Sequence, residues 1–208
     1  MNKPNQKINV AVFVSGGGTN LQAIIDEEKN NNIVSASVAL VVSNKPNVFA
    51  LERAERNNIP SIVIPKYKNG IPNFEKEVME VLEKYNIQLI VLAGFMQILS
   101  ESFTKKYTNR IINVHPALIP SFCGEGYYGL KVHEAVLNYG VKLTGATVHF
   151  VNEVPDGGKI ILQKAVPVFK NDTPITLQKR VMEKAEWIIL PKAVELVAKE
   201  ILKEKNKC

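Results

Sequence analysis

The stretch Ile8-Asn9-Val10-Ala11-Val12-Phe13-Val14-Ser15-Gly16-Gly17-Gly18-Thr19-Asn20-Leu21 decides how this chain is read. Its first seven residues, all apolar except Asn9, have the length and composition of a buried strand. Three glycines end the run. A helical pattern follows over residues 20–29, opened by Thr19 or Asn20 as its cap.

Further apolar runs lie at 34–43, 61–64, 89–93 and 110–114, with helical patterns at 48–57, 74–85 and 100–107 between them. In the second of these patterns Phe74, Val78, Val81, Leu82 and Tyr85 share one face. Strands apolar on both faces that alternate with helices predict an α/β fold. It is a mostly parallel, doubly wound (Rossmann-like) sheet flanked by helices. After residue 115 the pattern changes. A loop rich in Gly, Pro and aromatics covers 116–129, and a helix covers 130–138. Two strands, 142–151 and 159–168, lie about seven residues apart, which predicts an antiparallel pair at the C-terminal edge. Residues 174–203 read as a helix that Pro191 bends or divides. There is no repeat, low-complexity stretch or linker, so residues 1–208 read as one domain.

Composition narrows the classes. The two cysteines, Cys123 and Cys208, make no disulfide framework and no C-x-x-C, which fits a reducing compartment. The first apolar run is too short for a signal core, and no run nears the ~20 apolar residues of a membrane span. The expectation is a cytoplasmic protein with no membrane partner. Much of the net charge of +6 lies near the ends, as at Lys3, Lys7, Lys199, Lys203 and Lys207. No basic run is interleaved with aromatics, so no nucleic-acid partner is expected and any pull on anionic ligands is weak.

The glycine loop carries the first chemical signal. Glycines bring bare N–H groups close to a ligand, and the helix N-terminus behind them is partly positive, so a phosphate fits. A dinucleotide fingerprint would need a third glycine where Leu21 stands, and an acid where the second strand ends in Ser43-Asn44-Lys45. The Gly-Lys-Ser/Thr of a P-loop is absent. A single phosphate, such as that of a sugar phosphate, remains. A tight turn without ligand is the plainer alternative, but three adjacent glycines are an entropic cost that a turn does not need.

Three histidines are present: His115, His133 and His149. In Asn113-Val114-His115-Pro116, residues i and i+2 project from one face at the C-terminal end of a strand, where open α/β sheets place their sites. An amide donor beside an imidazole suits oxyanion stabilisation and proton movement. Asp156-Gly157-Gly158 has two open readings. It is a common hairpin turn signal, or its carboxylate lies beside His115, raises the imidazole pKa and favours the charged ring. His149 alternates with apolar residues and reads as a packed or hydrogen-bonded strand residue. His133 reads as a helix surface residue. No histidine pair has metal-ligand spacing, so no metal is expected. Cys123 has no identifiable base nearby and is not read as a nucleophile.

Five stretches in order resemble the phosphoribosylglycinamide formyltransferase family over nearly the whole chain. They are Val14 through Ile24, Leu92-Ala93-Gly94-Phe95-Met96-Gln97-Ile98-Leu99, Asn113 through Pro120, Gly145 through Val151, and Asp156-Gly157-Gly158. The resemblance implies the formyltransferase fold, with a phosphate-binding half over about 1–100 and a folate-binding, catalytic half over about 101–208. It implies transfer of the formyl group of 10-formyltetrahydrofolate to the amine of glycinamide ribonucleotide, in de novo purine synthesis. Asn113, His115 and Asp156 are then the catalytic residues. Gly17, Gly18, Thr19 and Asn20 hold the substrate phosphate, and Glu186 contacts its ribose, although its spacing from Arg180 is slightly off. Met96, Gln97, Ile98, Leu99, Asn113, Val151 and Asp156 meet the folate.

Some residues depart from the family. Gln97 stands where many members carry arginine, and the 121–129 loop is longer than in several members. A phosphate-contacting arginine of some members has no clear counterpart, and Lys66 or Lys68 is the expected substitute. The partners implied are small molecules, with the chain a monomer or homodimer. The closest rival is formyltetrahydrofolate deformylase, which gives the formyl group to water. Such enzymes usually carry an N-terminal regulatory domain, and only seven residues precede the first strand here.

Overall fold

Alternate side chains of β1 (Ile8–Val14) enter two different cores. Val10, Val12 and Val14 pack with Leu21, Ile24, Val194 and Val197 on one face. Ala11 and Phe13 pack with Phe74, Val78, Leu82 and Phe103 on the other. A strand apolar throughout is thereby buried on both sides, as a doubly covered sheet requires. The computed structural model describes residues 6–65 and 70–206.

From β1 the chain continues through α1 (Thr19–Lys29), β2 (Ala36–Ser43), α2 (Phe49–Arg56) and β3 (Ser61–Val63). Next come α3 (Gly70–Lys84), β4 (Ile87–Leu92), α4 (Glu101–Lys106) and β5 (Ile111–His115). The remainder is α5 (Leu130–Tyr139), β6 (Leu143–Phe150), β7 (Ile160–Pro167), α6 (Pro174–Val181) and α7 (Trp187–Lys205). One seven-stranded sheet has the order β3-β2-β1-β4-β5-β6-β7. Strands β1 to β5 pair in parallel, and β6 is antiparallel to both β5 and β7. The fold class and the antiparallel edge pair are as the sequence predicts.

Two details differ. The cap of α1 is neither Thr19 nor Asn20 but Gly18, in the left-handed region at φ 70° with no side-chain cap. A side chain there would force the loop and α2 apart, because a Cβ on Gly18 would lie 2.6 Å from that of Ala50. The late helix is interrupted at Met182–Glu186, a π-helical turn, while Pro191 lies inside α7. With α7 restarting at Trp187, the proline forfeits only the bond to the Trp187 carbonyl, four residues back.

The strand order reverses at β1, with β2 on one side and β4 on the other. Loops leaving the carboxyl ends of β1 and β4 therefore diverge and open a crevice, the usual ligand position in such sheets. Ser15 spans it. Its Oγ accepts the Met96 N–H at 2.8 Å and donates to Asn44 Oδ1 at 2.8 Å.

Candidate active site

Antiparallel pairing of β5 and β6 sets Asn113 opposite His149 and His115 opposite Thr147. The amide Nδ2 of Asn113 lies 3.2 Å from Nε2 of His149. Nδ1 of His149 faces the Phe150 carbonyl at 2.8 Å, so in the neutral ring Nδ1 carries the proton and Nε2 accepts from Asn113. That bond aims one amide hydrogen at His149 and leaves the other for the cleft. Thr147 secures the neighbouring loop, donating to the Ala117 carbonyl at 2.7 Å and accepting the Ile119 N–H at 3.1 Å.

Asp156 joins this pair from the β6–β7 turn. One carboxylate oxygen lies 3.4 Å from Nδ1 of His115, the other 3.5 Å from Nε2 of His149. It also accepts the Gly124 N–H at 2.9 Å, which ties the 116–129 loop to the cluster. Nε2 of His115 donates to the Phe122 carbonyl at 2.8 Å. The aspartate is thus both a turn residue, at φ 55°, and the charge partner of His115.

The electrostatics correct one expectation. His115 is 4% exposed, and its burial lowers its pKa below the ordinary value, outweighing the pull of Asp156 and the Phe122 carbonyl. Burial therefore favours the neutral ring over the charged one. Burial alone would raise the Asp156 carboxyl. His149 and His115 beside it and the Gly124 N–H bring it below its ordinary value instead.

These side chains lie in a cleft of about 860 Å³. Met96, Gln97, Ile98, Leu99, Val151, Thr19, Asn20 and Glu186 line it as well. Gly17 and Gly18 are not part of its wall. Glu186 is buried and accepts from Asn20 Nδ2 at 2.6 Å, and its burial raises its pKa. Its partner's Oδ1 has no hydrogen bond, nor has either side-chain polar atom of the buried Gln97. Lys66 and Lys68, expected near the phosphate, lie outside the described residues. Among the described residues, no cluster of three or more His, Cys, Asp or Glu could hold a metal ion. Among them, too, no helix is long and apolar enough to cross a membrane.

His133 is not on the surface. It is 0% exposed and lies in the wall of the cleft, with neither ring nitrogen hydrogen bonded. Burial, aided by His115, lowers its pKa to about 4. Its neighbours Val132 and Val136 are buried with it on α5, and α5 packs on α6. His149 is the packed, hydrogen-bonded strand residue expected, yet it also touches Asn113 and Asp156. Only its register opposite Asn113 reveals that.

Residues 8–194 match the model of the formyl transferase family. Phosphoribosylglycinamide formyltransferase of Haemophilus influenzae is 39% identical over 188 residues, covering 89% of this chain and 85% of that protein. The human trifunctional purine biosynthetic protein adenosine-3 is 47% identical over 195 residues, 93% of this chain; the chain spans only 18% of that protein's length. The crystal structure of glycinamide ribonucleotide transformylase 1 from Symbiobacterium toebii superposes with a TM-score of 0.87 at 36% identity, covering 95% of this chain and 90% of that one. Family model, relatives and fold agree with the cluster at the end of β5: the chain belongs to the formyl transferase family, among its phosphoribosylglycinamide formyltransferases.

Proposed function

We propose that the chain transfers the formyl group of 10-formyltetrahydrofolate to the amine of glycinamide ribonucleotide, a step of purine synthesis. The observation that carries this reading is the convergence of Asn113, His115 and Asp156 in the cleft that runs from the glycine-loop end to the 96–99 wall. The named relatives support the same reaction.

In this reading the acceptor phosphate meets the loop of Gly17, Gly18, Thr19 and Asn20, and Glu186 takes a ribose hydroxyl. The pteridine lies against Met96, Gln97, Ile98, Leu99, Val151 and Asp156. The acceptor amine attacks the formyl carbon directly, and the carbonyl oxygen becomes an oxyanion. Asn113 Nδ2–H and His115 Nε2–H donate to it, the latter exchanging its bond to the Phe122 carbonyl for the substrate oxygen. A negative charge beside the ring opposes the effect of burial and favours protonation of Nδ1, which faces Asp156. The amine gives up one proton and N10 of the folate gains one as the C–N10 bond breaks. No covalent intermediate on the protein is needed.

The test is release of tetrahydrofolate from 10-formyltetrahydrofolate with and without glycinamide ribonucleotide. Release that requires the ribonucleotide, with formylated product, supports the transferase. Release without it, with formate appearing, would replace this reading by hydrolysis.

A further inference from the structure

The glycine loop is gripped from behind by α2, and both grips take hold of a carbonyl. The Ala50 N–H donates to Gly16 O at 3.1 Å, and Nε of Arg53 donates to Gly17 O at 2.9 Å. A trans peptide directs its C=O and N–H to opposite sides. With the Gly16 and Gly17 carbonyls turned toward α2, the N–H groups of Gly17 and Gly18 face away from it. Together with those of Thr19 and Asn20, they have no acceptor among the described residues. Gly18 lets the loop sit flush on Ala50 because it has no side chain.

Arg53 is itself fixed in place. Its Nη1 donates to Gln22 Oε1 on α1 at 3.1 Å, and its guanidinium lies 4.8 Å from the centroid of the Phe49 ring. One side chain thus joins α2, the loop and α1. Its charge sits against the Gly17 carbonyl, where it polarises the Gly17–Gly18 peptide and strengthens the opposite N–H as a donor.

We propose that Arg53 is the positioning residue of the phosphate loop. It orients and polarises the Gly17–Gly18 peptide toward the phosphate monoester of the acceptor without touching the ligand. The identity of that acceptor rests on the function proposed above; the role of Arg53 toward a sugar phosphate does not.

The test is calorimetric binding of ribose 5-phosphate to the unaltered chain, to Arg53→Met and to Arg53→Lys, alongside steady-state kinetics. Arg53→Met keeps the packed stem and loses the charge and donors. It is expected to weaken ribose 5-phosphate binding, and to raise KM for the ribonucleotide, by roughly tenfold or more, as loss of a hydrogen bond involving a charged group does. KM for the formyl folate and kcat stay within about twofold, because neither the folate wall nor the reacting cluster is disturbed. Arg53→Lys, which retains charge, lies between, and carries the test if the methionine variant does not fold. Unchanged ribose 5-phosphate affinity in a folded variant overturns the proposal. So does an equal rise in both KM values, or failure of the unaltered chain to bind ribose 5-phosphate. If the chain binds ribose 5-phosphate through Arg53 yet formylates no ribonucleotide, the proposed reaction falls and the role of Arg53 stands.

Discussion

Asp156 sets one carboxylate oxygen 3.4 Å from Nδ1 of His115 and the other 3.5 Å from Nε2 of His149. It is the main group opposing the effect of burial on His115. Asp156→Asn removes that opposition, so the His115 pKa falls further below its ordinary value. An NMR titration of the ring in the two proteins reads this directly. The ring charges only at lower pH in the variant, and a midpoint that rises instead would show that the carboxylate does not act by charge.

Asn113 and His115 are the two donors assigned to the oxyanion. Replacing either by alanine is expected to lower kcat by roughly 10²–10³, with KM changing far less, since such donors act mainly in the transition state. Near-normal kcat in one variant would remove that residue from the role.

Gly18 combines a left-handed backbone with contact against Ala50. Gly18→Ala strains the loop by about 1–3 kcal/mol. Part of that strain is relieved by lifting the loop off α2. Acceptor KM should rise while folate KM holds. Paired changes in both constants would point to general unfolding.

His133 is buried without a hydrogen-bond partner. Such groups cost roughly 1–3 kcal/mol. His133→Leu is expected to raise Tm at neutral pH. The folded pKa of about 4 lies below the unfolded value of about 6.5, so the unfolded chain binds the extra proton first. The histidine's contribution is complete above about pH 6.5 and is lost as pH falls toward 4. The advantage of leucine therefore widens over that window, which thermal melts at several pH values would measure. A Tm gap that stays constant across it would show that His133 does not titrate there.

The parallel part of the sheet was legible because β1, β2, β4 and β5 are largely apolar on both faces, a pattern that survives without knowledge of its neighbours. Asn113 and His115 were legible for the same local reason, two residues apart at a strand end. What stayed hidden depends on distant partners. His133 is buried on a helix that packs against α6, His149 joins the cluster through a register set across two strands, and Arg53 meets Gly17 thirty-six positions away in sequence. The neutral state of His115 was also hidden, since its burial outweighs a carboxylate that the sequence alone would have ranked first. The interruption ahead of Pro191 was misplaced because the proline is local and visible, whereas the extra residue taken up by the π turn is not.

The β6–β7 turn holds Asp156 and lines the cleft with residues 96–99, while the proposed phosphate site depends on the turn after β1 and its backing helix α2. These stretches lie on opposite sides of the sheet's midpoint and share no hydrogen bond among those that form either one. On the proposed reaction, the turn that carries Asp156 and the loop that meets the acceptor phosphate are thus separate pieces of chain. On the same reading, a grafted β6–β7 turn that keeps the aspartate in register would alter the carrier contacts made by that turn, while those of residues 96–99 and recognition of the phosphorylated sugar stay as they were.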